Sequence, residues 1–375
     1  MADGGPSGGA LRRRPRGRYA RCTMTDAQYQ TAMTLYGQGR HAEGMQMLGQ
    51  AAQGGHVPAM TLLGHQLLSG RGAPLDSISG IRLILGAADR GGGLACTTAA
   101  VLLAAGVSGK SDWRRALDYL RRGAELGFPM AQAQLRLLAG RDGDDWKGLQ
   151  RAVDIKAWRA APKPRTLSRE PRVRVFEGLV SPAVCDWIVA HARGRLQPAV
   201  VYNGAQGAGV SRTRTNSAAE LTLHDGDLMA QAVRERLAAA AGLPVMHMEA
   251  PQVLHYTVGQ QFVPHVDFFD AANASEAVEM AEGGQRVATA LLYLNDEGLE
   301  GGETEFPRLG FNYRGRKGDA LVFFNVDAAG QPDRRTLHAG LPPTRGEKWL
   351  LSQWFRDRAG PGFGDPALAA ALNGG

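Results

Sequence analysis

Hydrophobic positions follow two different rhythms along the chain. Over residues 26–140 they recur at helical spacing, as in GMQMLGQAA, GIRLILGAA and ALDYLRRGAEL. From Pro171 onward they alternate or form short apolar runs, as in RVRVF, APQVLHYTV, QRVATALLYLN, DALVFFNV and KWLLSQWF. Loops rich in Gly and Pro, including NGAQGAG and EGGETEFP, separate these predicted strands, which points to an antiparallel barrel or sandwich. One helix is expected within that half, SPAVCDWIVAHARGRL, with Ser181 as N-cap and Pro182 at its first position. Residues 141–170, rich in charge and proline, read as a linker.

The helical half repeats. AAQGGHVPAM, AADRGGGLAC and GAELGFPMAQ begin at residues 51, 87 and 123, a constant step of 36. Ala52, Ala88 and Ala124 recur at that step, and so do Ala59, Ala95 and Ala131. Small residues where helices cross, with glycines between helices, indicate stacked helical hairpins. The pattern resembles Sel-like repeats, relatives of the tetratricopeptide repeat, over about three units. Such units bury their apolar faces only on neighbours. They serve either as a binding surface or as a brace for the second domain.

At 375 residues the chain has room for two domains, and 44% hydrophobic with 21% charged residues excludes a disordered or collagen-like chain. No apolar run approaches the roughly 20 residues of a membrane span, so no membrane partner is expected. The net charge of +7 is local: residues 1–23 hold six of the 43 basic residues and one of the 36 acids, leaving 37 against 35. That segment reads as a disordered basic tail, or as an arm making a weak polyanion contact; no other nucleic-acid binding is expected. Cys22, Cys96 and Cys185 form no CxxC pair and indicate a reducing, cytoplasmic setting.

Candidate chemistry begins at His265-Val266-Asp267. In an extended segment residues i and i+2 share a side, so both can reach one metal ion. His338, 71 residues beyond Asp267, is the candidate third ligand. Two imidazoles and one carboxylate take one face of a ferrous ion and leave positions open for a chelating cosubstrate and dioxygen. Ten residues after His338, Lys348 shares a strand face with Leu350, Ser352 and Trp354, where a buried ammonium calls for an anion. Thr289 and Tyr293 place hydroxyls on one face of another apolar strand.

The runs QVLHYTVGQQFVPHVDFFD, RVATALLYLND, GGETEFP, KGDALVFFN and LHAGLPPTRGEKWLLSQWF, in this order, resemble the catalytic domain of prolyl 4-hydroxylases among the iron(II)- and 2-oxoglutarate-dependent dioxygenases. The resemblance implies an α+β multidomain chain. A helical-repeat α-solenoid (24–140) would precede a double-stranded β-helix, or jelly roll (171–358), with a C-terminal tail at 359–375. It implies His265, Asp267 and His338 as Fe(II) ligands. Lys348 would pair with the distal carboxylate of 2-oxoglutarate, with Thr289 assisting. Tyr256 would hydrogen-bond the cosubstrate and Trp354 would wall its pocket. Arg214 and Glu249 become candidate substrate contacts, and DAANASEAVEMAEGG a mobile lid. Two positions depart from the pattern: Phe262, where many relatives carry tyrosine, and Arg356, where some peptide-acting members carry histidine.

The implied activity is hydroxylation of a prolyl residue in a peptide or protein, giving succinate and carbon dioxide, with ascorbate as auxiliary reductant. The helical repeats would recruit that polypeptide. The alternatives are hydroxylation of a free amino acid or other small molecule, and a non-catalytic iron-binding repeat scaffold.

Overall fold

A computed structural model describes residues 23–107, 110–202, 208–210, 213–360, 367 and 370. The basic segment 1–22, residues 203–207 of the glycine-rich loop and most of the expected C-terminal tail lie outside them.

Among the described residues, the N-terminal half is built from α1 (Met24–Gly37), α2 (His41–Gln53), α3 (Val57–Ser69), α4 (Ser77–Asp89), α5 (Gly93–Ala105), α6 (Trp113–Glu125) and α7 (Pro129–Ala139). Helices α2, α4 and α6 start 36 residues apart, as do α3, α5 and α7. The repeated alanines sit where helices cross, all at most 5% exposed. At one crossing α3 and α4 approach so closely that a Cβ on Gly64 would lie 3.2 Å from the Gly80 carbonyl oxygen. The caps repeat as well: Asp76 and Asp112 accept hydrogen bonds from the Ser79 and Arg115 N–H groups, 3.0 Å each.

The expected linker is structured. It holds α8 (Trp146–Ala152), α9 (Ile155–Trp158) and the edge strand β1 (Arg165–Ser168). Its acids mislead at the level of composition, because Asp145 and Asp154 are helix N-caps, accepting from the Gly148 and Ala157 N–H groups at 2.9 and 3.0 Å.

The second half contains β2 (Val173–Phe176), α10 (Pro182–Arg193), β3 (Gln197–Pro198), β4 (Val200–Tyr202), β5 (Ala208–Val210), β6 (Ser217–Glu220), α11 (Leu228–Ala241), β7 (Gln252–Tyr256), β8 (Phe262–His265), α12 (Ala274–Gly283) and β9 (Arg286–Tyr293). It continues with β10 (Glu300–Gly301), β11 (Thr304–Phe306), β12 (Phe311–Tyr313), β13 (Ala320–Phe324), β14 (His338–Gly340), β15 (Pro343–Arg345) and β16 (Lys348–Arg356). An eight-stranded antiparallel sheet in the order β1-β2-β13-β9-β16-β7-β6-β3 faces a four-stranded sheet in the order β12-β11-β14-β8. Leu254, Leu291, Phe323 and Leu350 of the first pack with Phe306 of the second, which is the double-stranded β-helix arrangement. Every residue of β16 is buried, because this strand has the smaller sheet on one face and helices on the other.

Helix α11 joins the two halves. Its Leu228, Val233 and Leu237 belong to one continuous core with Trp349, Leu351 and Phe355 of β16 and with Ala99, Leu117 and Leu135 of the repeats. Polar contacts seal the joint. Gln134 donates to the Gly226 carbonyl at 3.0 Å and accepts from the Leu228 N–H at 2.9 Å, and Trp113 Nε1 donates to Glu235 Oε1 at 3.0 Å. Arg159, in the stretch expected as linker, adds an ion pair to Glu235 at 3.3 Å. The repeats therefore brace the β half.

Candidate metal centre and cosubstrate pocket

Strands β8 and β14 pair antiparallel with His265 directly opposite His338, and Asp267 follows in the bend after β8. Side-chain ligand atoms of the three residues lie within 4.8 Å of one another. His265 Nδ1 is 2.9 Å from the Val263 carbonyl and His338 Nδ1 is 3.1 Å from that of Thr336. A carbonyl only accepts, so each Nδ1 donates, and each ring in its metal-binding form carries its lone pair on Nε2. Those lone pairs face the carboxylate: His265 Nε2 lies 3.6 Å from Asp267 Oδ1 and His338 Nε2 3.6 Å from Oδ2. Two lone pairs and a carboxylate confronting each other without a hydrogen bond form a donor set for a cation, and the residues fit a divalent iron.

The electrostatics agree. Burial, reinforced by His338, pushes the His265 imidazolium down to about 3 against the pull of Asp267. Burial alone would raise the Asp267 carboxyl, but His338, His265 and the Thr289 hydroxyl outweigh it and hold that carboxyl below its ordinary range.

Thr289 takes a role other than the one expected. Its hydroxyl donates to Asp267 Oδ2 at 2.7 Å and accepts from Asn325 Nδ2 at 3.0 Å, so it orients the metal-facing carboxylate rather than the cosubstrate. Asn325, fully buried on the neighbouring strand end, is not legible in the sequence, because a lone Asn after an apolar strand carries no pattern.

Lys348 lies in the adjoining pocket, 1% exposed, with its ammonium 5.3 Å from the Tyr256 ring centre. Burial pulls it down to about 8. Glu303 pulls weakly against that burial, but no carboxylate forms an ion pair with Lys348 among the described residues, which leaves an ammonium suited to an incoming carboxylate. Tyr256 and Trp354 line this pocket. The hydroxyl beside them is that of Thr304, bonded to Tyr293 at 2.8 Å. In the same segment, GGETEFP, Gly302 lies against the Lys348 stem, where an added Cβ would meet Lys348 Cδ at 3.4 Å.

On the other side, Phe262 stacks on His265 with ring centres 3.5 Å apart and carries the Arg214 guanidinium at 5.0 Å. Arg214 thus stands beside the candidate metal site, as a substrate contact would. Glu249 does not stand free. Its carboxylate takes a bidentate contact from Arg286 at 2.7 and 2.8 Å and another from Arg356, which holds Arg286 4.2 Å over the Trp354 ring. The expected lid contains helix α12, capped by Asn273 and buried nowhere along its length. Arg356 ties its end down by donating to the Gly284 carbonyl at 2.7 Å.

Known proteins are similar to this chain in sequence. A profile of the 2OG-Fe(II) oxygenase superfamily matches residues 251–356. Prolyl 4-hydroxylase 1 of Arabidopsis thaliana is 36% identical over 212 residues, spanning 52% of this chain and 73% of the relative. Prolyl 4-hydroxylase 2 of the same plant is 32% identical over 215 residues, spanning 52% and 70%. Among solved structures, a viral collagen prolyl hydroxylase from Paramecium Bursaria Chlorella virus-1 is 25% identical, covering 48% of this chain and 94% of its own, with a TM-score of 0.36. A Sel1 repeat protein from Oxalobacter formigenes is 21% identical over 36% of this chain and 61% of its own, with a TM-score of 0.29. With more than two thirds of a relative matched at this identity, and an iron-ready donor set beside a buried lysine, the chain belongs to the prolyl 4-hydroxylase family of 2OG-Fe(II) oxygenases, oxidoreductases.

Proposed function

We propose that the protein hydroxylates a prolyl residue within a peptide or protein, consuming 2-oxoglutarate and dioxygen and releasing succinate and carbon dioxide. The observation that carries this reading is the convergence of two Nε2 lone pairs on Asp267 at 3.6 Å, next to the buried ammonium of Lys348. Iron, when bound, supplies the oxidising chemistry needed at an unactivated C–H bond.

The chain's own residues do the rest. His265, Asp267 and His338 hold the metal, and Thr289 with Asn325 fixes the carboxylate's orientation. Lys348 anchors the distal carboxylate of 2-oxoglutarate, helped by Thr304 and Tyr256, while Trp354 closes the pocket wall. Arg214 and Phe262 form the substrate side. Ascorbate serves as the auxiliary reductant. The buried free thiols of Cys96 and Cys185 support a reducing, cytoplasmic setting.

Succinate release with iron and 2-oxoglutarate, measured across prolyl peptides and free proline alongside mass spectrometry, tests the reading. One added oxygen on a peptidyl proline is expected. Turnover of free proline alone would move the activity to small molecules.

A further inference from the structure

Arg214 separates two spaces. One is the pocket of the candidate metal ligands, and the other is a second cavity of about 360 Å³. Arg214 is only 7% exposed, and its hydrogen-bond partners are neutral: Asn216 Oδ1 at 3.1 Å and Gln252 Oε1 at 3.2 Å. A buried guanidinium with neutral partners is costly, and an anion arriving from the cavity relieves that cost.

Both halves of the molecule build this cavity. Strand β6 contributes Glu220, the turn Leu223–Asp225 contributes His224, and the loop between α3 and α4 contributes Arg71. Arg195 on the same wall is already satisfied, donating to Asp225 Oδ2 and the Glu220 carbonyl at 2.9 Å each. Arg71 and Glu220 stand exposed at the opening, and Arg71 makes no ion pair among the described residues. The loop is held in place. Gly70 and Gly72 flank Arg71 with φ of 65° and 83°, and the Arg71 N–H donates to Ser69 Oγ at 3.3 Å. The turn facing it is fixed where Gly226 packs on α5, since a Cβ there would meet Thr97 Oγ1 at 2.8 Å.

Resting on the reading that the substrate is a polypeptide, we propose that this cavity receives the substrate chain flanking the target proline. Arg71, supplied by the helical repeats, selects an acidic side chain there. Glu220 at the same opening repels a run of acids, so the selection is for a single carboxylate. The repeats then contribute to specificity directly, in addition to bracing the fold.

The test uses the full chain with synthetic peptides that share one proline and carry Glu, Gln or Lys at each flanking position. KM is read from succinate release and oxygen incorporation, and peptide binding from fluorescence anisotropy. The wild type is expected to favour a Glu peptide over its Gln counterpart by about three- to tenfold in KM at low salt, with the ratio shrinking as salt rises. Arg71→Gln brings that ratio close to one, and Arg71→Glu turns the preference toward the Lys peptide. Hydroxylated peptides whose KM ignores the flanking charge, or a Glu preference that survives Arg71→Glu, would overturn the assignment while leaving prolyl hydroxylation standing. Peptides that neither bind nor react while free proline is converted would remove both readings together.

Discussion

The Thr289 hydroxyl donates to Asp267 Oδ2 across 2.7 Å, from the centre of the large sheet to the bend that follows β8. Asn325 donates to the same hydroxyl at 3.0 Å, so its lone pair is occupied and its proton is directed at the carboxylate. Second-layer contacts of this kind orient a metal ligand without touching the metal.

Thr289→Val removes that donor while keeping the branched shape. Metal affinity is expected to fall about ten- to a hundredfold in an anaerobic Co(II) titration, with Thr289→Ser recovering most of it. A variant that kept full metal affinity but bound 2-oxoglutarate poorly would return Thr289 to the cosubstrate role expected from the sequence.

Lys348→Ala should weaken 2-oxoglutarate binding by about 1.5–3 kcal/mol, tenfold or more, as for the loss of a charge-assisted hydrogen bond. Isothermal titration of the metal-loaded protein provides the measurement. An unchanged Kd would place the cosubstrate's distal carboxylate elsewhere.

The pH dependence of the same lysine has a definite sign. Burial lowers Lys348 from 10.5 to about 8, so between those values the unfolded chain binds more protons than the folded one. Its contribution to stability therefore improves as pH rises from about 8 toward 10.5, and the cost of burying the charge is fully present below about 8. Binding of 2-oxoglutarate runs the other way, because the carboxylate needs the ammonium. Its affinity should decline above pH 8 in the wild type and stay flat in Lys348→Met, whose thermal stability should exceed the wild type's near neutrality.

Glu249→Gln breaks the bidentate contact to Arg286 and the contact to Arg356. A stability loss of about 1–3 kcal/mol is expected in denaturant unfolding, below that of a fully buried pair because a fifth of the side chain is exposed. The mean position of Trp354, read by its fluorescence, should shift with it. A large rise in peptide KM without loss of stability would instead make Glu249 a substrate contact.

The joint between the halves gives a further prediction. Gln134→Ala leaves the buried Gly226 carbonyl and Leu228 N–H without their partner, each costing about 1–3 kcal/mol. Calorimetry should show one cooperative transition for the wild type, since the core is continuous, and a lower Tm for the variant. Two separate wild-type transitions would mean that the repeats and the barrel unfold independently.

The parts of the site legible in the sequence were those encoded by short periods. Alternation placed Lys348, Leu350, Ser352 and Trp354 on one face of β16, and the i, i+2 relation brought His265 and Asp267 together. The step of 36 fixed the repeated helices because close crossings demand small residues at equivalent places. What escaped depends on which strands become neighbours. Thr289 faces inward as alternation requires, but whether it meets the cosubstrate or Asp267 is decided by the pairing of β9 with β13 and β16. Glu249 reads as a candidate contact in the sequence, which does not show that the fold brings Arg286 and Arg356 to it from strands 37 and 107 residues away. The stretch 141–170 reads as a linker because capping acids and linker acids have the same composition.

The most direct test of the metal assignment is an anaerobic Co(II) titration of the purified full chain, followed by absorption, on the wild type and on His265→Ala, Asp267→Ala and His338→Ala. The metal assignment requires one tightly bound ion per wild-type chain and loss of that site in each variant. A His338→Ala protein that bound the ion as tightly as the wild type, with the same spectrum, would contradict it.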